Sequence, residues 1–135
     1  MATVSAVRDA LQVRLATISG LNAYDVWPDS IQTPAACVLP ARGNYHDTFD
    51  GRSAFNFDIM VVVQAADLKW AQDALDGYLD FSGSSSIAAA IEGDKTLGGS
   101  AEGALITGWR DYGDILINGV GYFGAILDCE VMILS

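Results

Sequence analysis

Residues 53–64, SAFNFDIMVVVQ, limit the fold more than any other stretch. Successive side chains of a strand point to opposite faces. Phe55, Phe57, Ile59, Val61 and Val63 therefore share one face, and Asn56, Asp58, Met60, Val62 and Gln64 share the other. The first face needs an apolar layer against it. The chain supplies one at once, because the period changes in ADLKWAQDALDGYLDF. There Leu68, Ala71, Leu75, Tyr78 and Leu79 recur three and four apart, the stripe of an amphipathic helix. Asp67 stands at the cap position, and Gly77 weakens such a helix by roughly 1 kcal/mol against alanine.

The other elements follow from similar signals. Val4, Val7, Leu11, Leu15 and Ile18 predict a first helix, with Thr3 able to cap it and Ser19-Gly20 as its stop. AYDVWPDS predicts a short strand ended by Pro28, and AACVLP a second one bracketed by Pro34 and Pro40. Proline cannot donate to a ladder, so both strands are expected to be short or peripheral. Residues 42–52 read as a polar loop, and residues 86–92 as a short helix within a Gly- and Ser-rich segment. The closing residues read as two long strands. Asn118-Gly119 is a two-residue hairpin turn, which sets Ile117 opposite Val120 and Trp109 opposite Asp128. A looser turn over residues 111–119 gives a competing register. The fold class expected is α+β, with one mixed, mainly antiparallel sheet packed against two main helices plus a short one. The 135 residues form one domain, 1–135.

Composition removes several functions. Seventeen acidic against seven basic residues leave a net charge of −10, which argues against binding nucleic acid through its phosphates. Cys37 and Cys129 lie in apolar runs and are expected as reduced, buried thiols of a cytosolic fold. No signal peptide and no membrane span are expected.

The chemical motifs are weak. GVGYFG, residues 119–124, has the letters of a dinucleotide fingerprint, but a strand follows it where a phosphate-binding helix is required. GDKTLGG lacks the spacing of a phosphate loop. His46, beside Asp47 and Asp50, is the only histidine, so neither a zinc site nor a Ser-His-Asp set can be assembled around it. Asp73, Asp76 and Asp80 read as the solvated back of the second helix. Trp27, Trp70 and Trp109 read as core or interface anchors. No catalytic, metal or cofactor residue is expected, and no enzyme. Arg42, Asn44, Tyr45, His46, Asp47, Phe49, Asp50 and Arg52 instead form a candidate docking loop that orders on assembly, with Tyr45 and Phe49 as its anchors. Asp58, Asp128 and Glu130 are expected together on the sheet face opposite the core.

Three segments carry a resemblance: VRDALQVRLATISGLNAYDVWPDSIQTPAACVLP, FNFDIMVVVQAADLKWAQDALDGYLD and GYFGAILDCEVMIL. Together with the order of elements, they make nearly the whole chain resemble the tail terminator (tail completion) proteins of long-tailed bacteriophages. The resemblance implies an α+β subunit of a ring, typically a hexamer, in the virion tail and assembled in the host cytoplasm. Such a ring caps the tail tube, ends addition of tube protein and presents a surface to the head–tail connector. DNA passes through its channel without specific binding, and Asp58, Asp128 and Glu130 would line or border that channel, the alternative being a plain solvated face. No cofactor and no membrane are implied. A neck or head-completion protein, a tube subunit, or an unrelated small acidic binding module are the alternatives.

Overall fold

The computed structural model describes residues 4–18, 20–24, 31–44, 52–64, 68–83, 85–94, 96–97, 101–117 and 119–134. The elements run α1 (Val4–Leu15), β1 (Asn22–Tyr24), β2 (Ala35–Asn44), β3 (Arg52–Val63), α2 (Leu68–Leu79), α3 (Ile87–Glu92), β4 (Gly103–Ile117) and β5 (Val120–Leu134). The strands form one five-stranded sheet in the order β1-β2-β3-β5-β4. Only the β1–β2 pairing is parallel. This is the α+β architecture expected, with one mixed, mainly antiparallel sheet and three helices.

The helices and the core are built on the predicted stripes. Val7, Leu11 and Leu15 of α1, Ala71 and Leu75 of α2, and Ile87 and Ile91 of α3 are fully buried. They pack in a single cluster with Phe55, Phe57, Ile59, Val61 and Val63 of β3 and with Phe123, Ala125, Leu127, Cys129, Val131 and Ile133 of β5. All three helices therefore cover the same sheet face. Each fully buried aliphatic or aromatic side chain contributes about 1.5–3 kcal/mol. α1 ends at Leu15, before the expected stop, and Gly20, at φ +83°, takes a left-handed turn between α1 and β1. Ser86 caps α3 by accepting from the Ala89 amide at 3.0 Å. Arg14 Nε donates to the Ala90 carbonyl at 2.9 Å and so ties α1 to α3. Thr3, Ser19 and Asp67 lie outside the described residues.

Three expectations need correction. First, β2 is not short: it has ten residues and lies between β1 and β3. The strand passes Pro40 by slipping register between Pro40 and Arg42. A bulge is one of the places where a strand tolerates proline. Second, the polar loop is shorter than residues 42–52. Arg42 and Asn44 pair with Asn56 and Ala54, and Arg52 opens β3 opposite Leu134. Third, the closing hairpin starts in the expected register, with Ile117 opposite Val120, but Trp109 faces Leu127 rather than Asp128. The register shift in β4 between Arg110 and Gly113 accounts for the slip, and a second shift, between Ile106 and Gly108, displaces the pairing further along the strand. Each inserts one extra residue and bends the strand. Asp111 sits in the first with φ 58°.

Candidate functional site

The face of the sheet away from the helices carries the only concentration of charge on the described strands that is arranged in register. Asp58 of β3 and Asp128 of β5 are directly paired, with Asn56 and Glu130 the next pair along. Like charges directly opposite each other destabilise a sheet. Here Arg110 reaches across from β4. Its guanidinium lies 3.0 Å from Asp58, 3.1 Å from Asp128 and 2.8 Å from Asp111. Hydrogen bonds to Asp58 and then Asp128, with the charge of Asp58, hold its pKa above the ordinary arginine value. Thr107 adds a hydroxyl donated to the Asp128 carbonyl. Asp58, Thr107, Arg110 and Asp128 line a depression of about 370 Å³ with Asn56 and Glu130. One guanidinium against Asp58, Asp111, Asp128 and Glu130 leaves the patch anionic.

The bulge between Arg110 and Gly113 explains how Arg110 gets there. Arg110 pairs with Ile126, which shares the outer face with Asp128, while Trp109 pairs with Leu127 on the helix side. Past the bulge the chain returns Tyr112 to the helix side. There its ring meets Phe123 edge-on at 5.2 Å and Trp109 at 5.7 Å. Its hydroxyl donates to Asp76 of α2 at 2.8 Å. Burial, the Asp76 hydrogen bond and the charges of Asp76 and Asp73 push this hydroxyl up to about 12. Asp76 is thus more than a solvated residue on the back of α2. Trp70 and Trp109 are both exposed, so neither belongs to the core, and Trp27 lies outside the described residues.

Beside the acids, the outer face is apolar. Val62, Ala35 and Ile117 are buried there under Tyr24, Ile31, Met60, Ile115 and Tyr122. At the far end Gly103, Leu105 and Met132 line an apolar hollow. No described helix crosses this face.

No family model matches the chain, and no curated protein matches it.

The sequence placed Asp58, Asp128 and Glu130 on one face, and the ladder brings them together there. It did not place Arg110 with them, because an unbroken hairpin register sets Gly108 and Arg110 elsewhere. Gly108 and Gly113 within a strand were the available signal, since glycine in a strand often marks a bulge. Of the candidate docking loop, Arg42, Asn44 and Arg52 belong to strands, and Tyr45, His46, Asp47, Phe49 and Asp50 lie outside the described residues. Among the described residues no group of three or more His, Cys, Asp or Glu is placed to hold a metal ion. Among the described residues no helix is long and apolar enough to cross a membrane. Cys37 and Cys129 are buried and not joined in a disulfide. Burial, with Glu92 and Glu130 nearby, pushes the Cys129 thiol up to about 12, which keeps it protonated and unreactive.

Proposed function

We propose that the chain is a structural subunit of a ring that caps the tail tube of a long-tailed bacteriophage. The ring ends tube polymerisation and offers a joining surface to the head–tail connector. The observation that supports this most is the outer sheet face. It is unlayered among the described residues, and it divides into apolar surface suited to neighbouring subunits and an anionic patch suited to a channel. DNA carries dense negative charge, so a like-charged wall lets it pass without adhesion. Arg110 moderates that wall and leaves it net acidic. The partners are other copies of the chain, the tube protein and the connector. The segment with Tyr45 and Phe49 docks against one of these partners. No cofactor enters, and the site of action is the virion tail.

Electron microscopy of the purified protein, alone and with tail tubes, tests this. Closed rings of fixed size at tube ends are expected. Open-ended polymers would point instead to a tube subunit. Lysine at Asp58, Asp128 and Glu130 should give rings that retain DNA in a salt-dependent way, and a ring with these three residues on its outer rim refutes the channel assignment.

A further inference from the structure

We propose that the tip of the β4–β5 hairpin in one copy seats in the apolar hollow at the other end of the same hairpin in the next copy. The contact is head to tail, and it rests on the ring-subunit assignment above.

The tip overhangs the helix layer. Phe123, paired with Asp114, is the last β5 residue of the core cluster at this end. Beyond it Leu116, opposite Gly121, is 77% exposed, and Val120 is 52% exposed. Nothing between Asp114 and Asp128 carries a charge. An uncharged, apolar projection on a chain of net charge −10 is costly in water unless something covers it.

The hollow has the complementary character. It measures about 340 Å³ and is lined by Gly103, Ala104, Leu105, Glu130 and Met132, the space of roughly ten waters. A Cβ added at Gly103 would meet nothing within 4 Å, and Leu105 is 47% exposed. Only Glu130 among the lining residues is charged.

Tip and hollow are complementary apolar surfaces of the same chain, so the occupant is a second copy. Two chains of −10 repel each other over most orientations. They can approach where carboxylates do not face carboxylates, and the tip set into the hollow brings a single carboxylate, Glu130, against an uncharged surface. The two surfaces sit at opposite ends of one hairpin, so a copy cannot fill its own hollow. A contact of this kind is heterologous. It closes into a ring when the rotation between copies permits.

The test uses Leu116→Asp at the tip and Leu105→Asp in the hollow, followed by light scattering after gel filtration. Both side chains are exposed, so both variants should melt near the wild type. Leu116→Ser and Leu105→Ser replace them if either melts lower. Wild type is expected as a closed oligomer, and each variant alone as a monomer. An equimolar mixture should give dimers and nothing larger, because one variant keeps an intact tip and the other an intact hollow. Rings that persist in either variant overturn the tip-in-hollow contact and leave the ring assignment standing. Dimers of Leu105→Asp alone would show tip-to-tip pairing and also overturn it. A wild type that stays monomeric at all concentrations removes both. As a second measurement, Leu116→Cys with Leu105→Cys should cross-link copies into a ladder under oxidation, and its absence counts against the contact. Oligomers that cross-link but ignore tube ends would sink the tail assignment alone.

Discussion

Gly124→Ala probes the point where β5 comes closest to β3. A methyl built at Gly124 runs into the carbonyl oxygen of Val61 and stands 3.0 Å from both Ile115 Cδ1 and Val62 Cγ1. The two aliphatic tips can turn aside. The carbonyl cannot, because Val61 and Val62 are held on both sides, by Ala36 and Ala35 of β2 and by Ala125 and Gly124 of β5. Overpacking of this kind costs about 1–3 kcal/mol, and a bent ladder weakens a backbone hydrogen bond by about 1 kcal/mol more. The total is about 2–4 kcal/mol, within a stability of about 5–15 kcal/mol for a domain of this kind. Thermal unfolding followed by circular dichroism should therefore show a melting point lower by about 10 °C. Gly108→Ala and Gly121→Ala are the controls. The first methyl would meet nothing within 4 Å, and the second only Leu116 Cδ2 at 3.9 Å. If Gly124→Ala melts within about 2 °C of these controls, the close approach of β5 to β3 is not what makes glycine necessary there.

Four further outcomes are expected. Gly77→Ala should raise stability by about 1 kcal/mol in urea unfolding, since the new methyl meets only Ser85 Cβ at 3.8 Å. Arg110→Ala leaves Asp58 and Asp128 opposed without their shared cation, so its melting point should fall, and fall less at high salt. The Tyr112 hydroxyl, raised to about 12 from an ordinary 10.0, keeps its proton longer in the folded chain than in the unfolded one. The stability it contributes is present below pH 10.0 and is lost as pH rises from there toward about 12; urea midpoints across that range should fall less steeply for Tyr112→Phe. A thiol reagent at about pH 8 should label Cys37 and Cys129 only on unfolding, because reaction needs an accessible thiolate and both are buried.

What the sequence disclosed, and what it hid, divides by the range of the interaction. The stripes of α1 and α2 and the alternation of β3 are local patterns set by the helix and strand periods, so Val7, Leu75 and Ile59 reached the core as read. Asp58, Asp128 and Glu130 needed only alternation within a strand, and they share the outer face. Arg110 joins them through the bulge between Arg110 and Gly113, and a bulge depends on cross-strand pairing that a single strand does not state. Pro40 misled in a related way: its missing donor argued for a short strand, while the slip beside it let β2 continue to Asn44. The glycines of GVGYFG illustrate a third case. Their spacing matched a phosphate motif, yet Gly119 turns the hairpin at φ +80°, Gly121 lies opposite Leu116, and Gly124 makes room for Val61.

The order of strands also orders events in time. β2 with β3, and β4 with β5, are neighbours in both sequence and space, so each pair can zip locally. The twelve-pair ladder between β3 and β5 is different. Closing its inner end brings Val63 to Phe123, a separation of 123 − 63 = 60 residues, and α2 and α3 are carried within that span. Long-range pairing pays its loop-closure entropy before any contact repays it. The two hairpins are therefore expected to precede the seam between them. Until that seam closes, the apolar faces of β3 and β5 and the Val61–Gly124 fit stand open to any other strand edge in reach. The acid pair at Asp58 and Asp128 is also incomplete until then, so the repulsion within it acts on the last step of folding and not on the first.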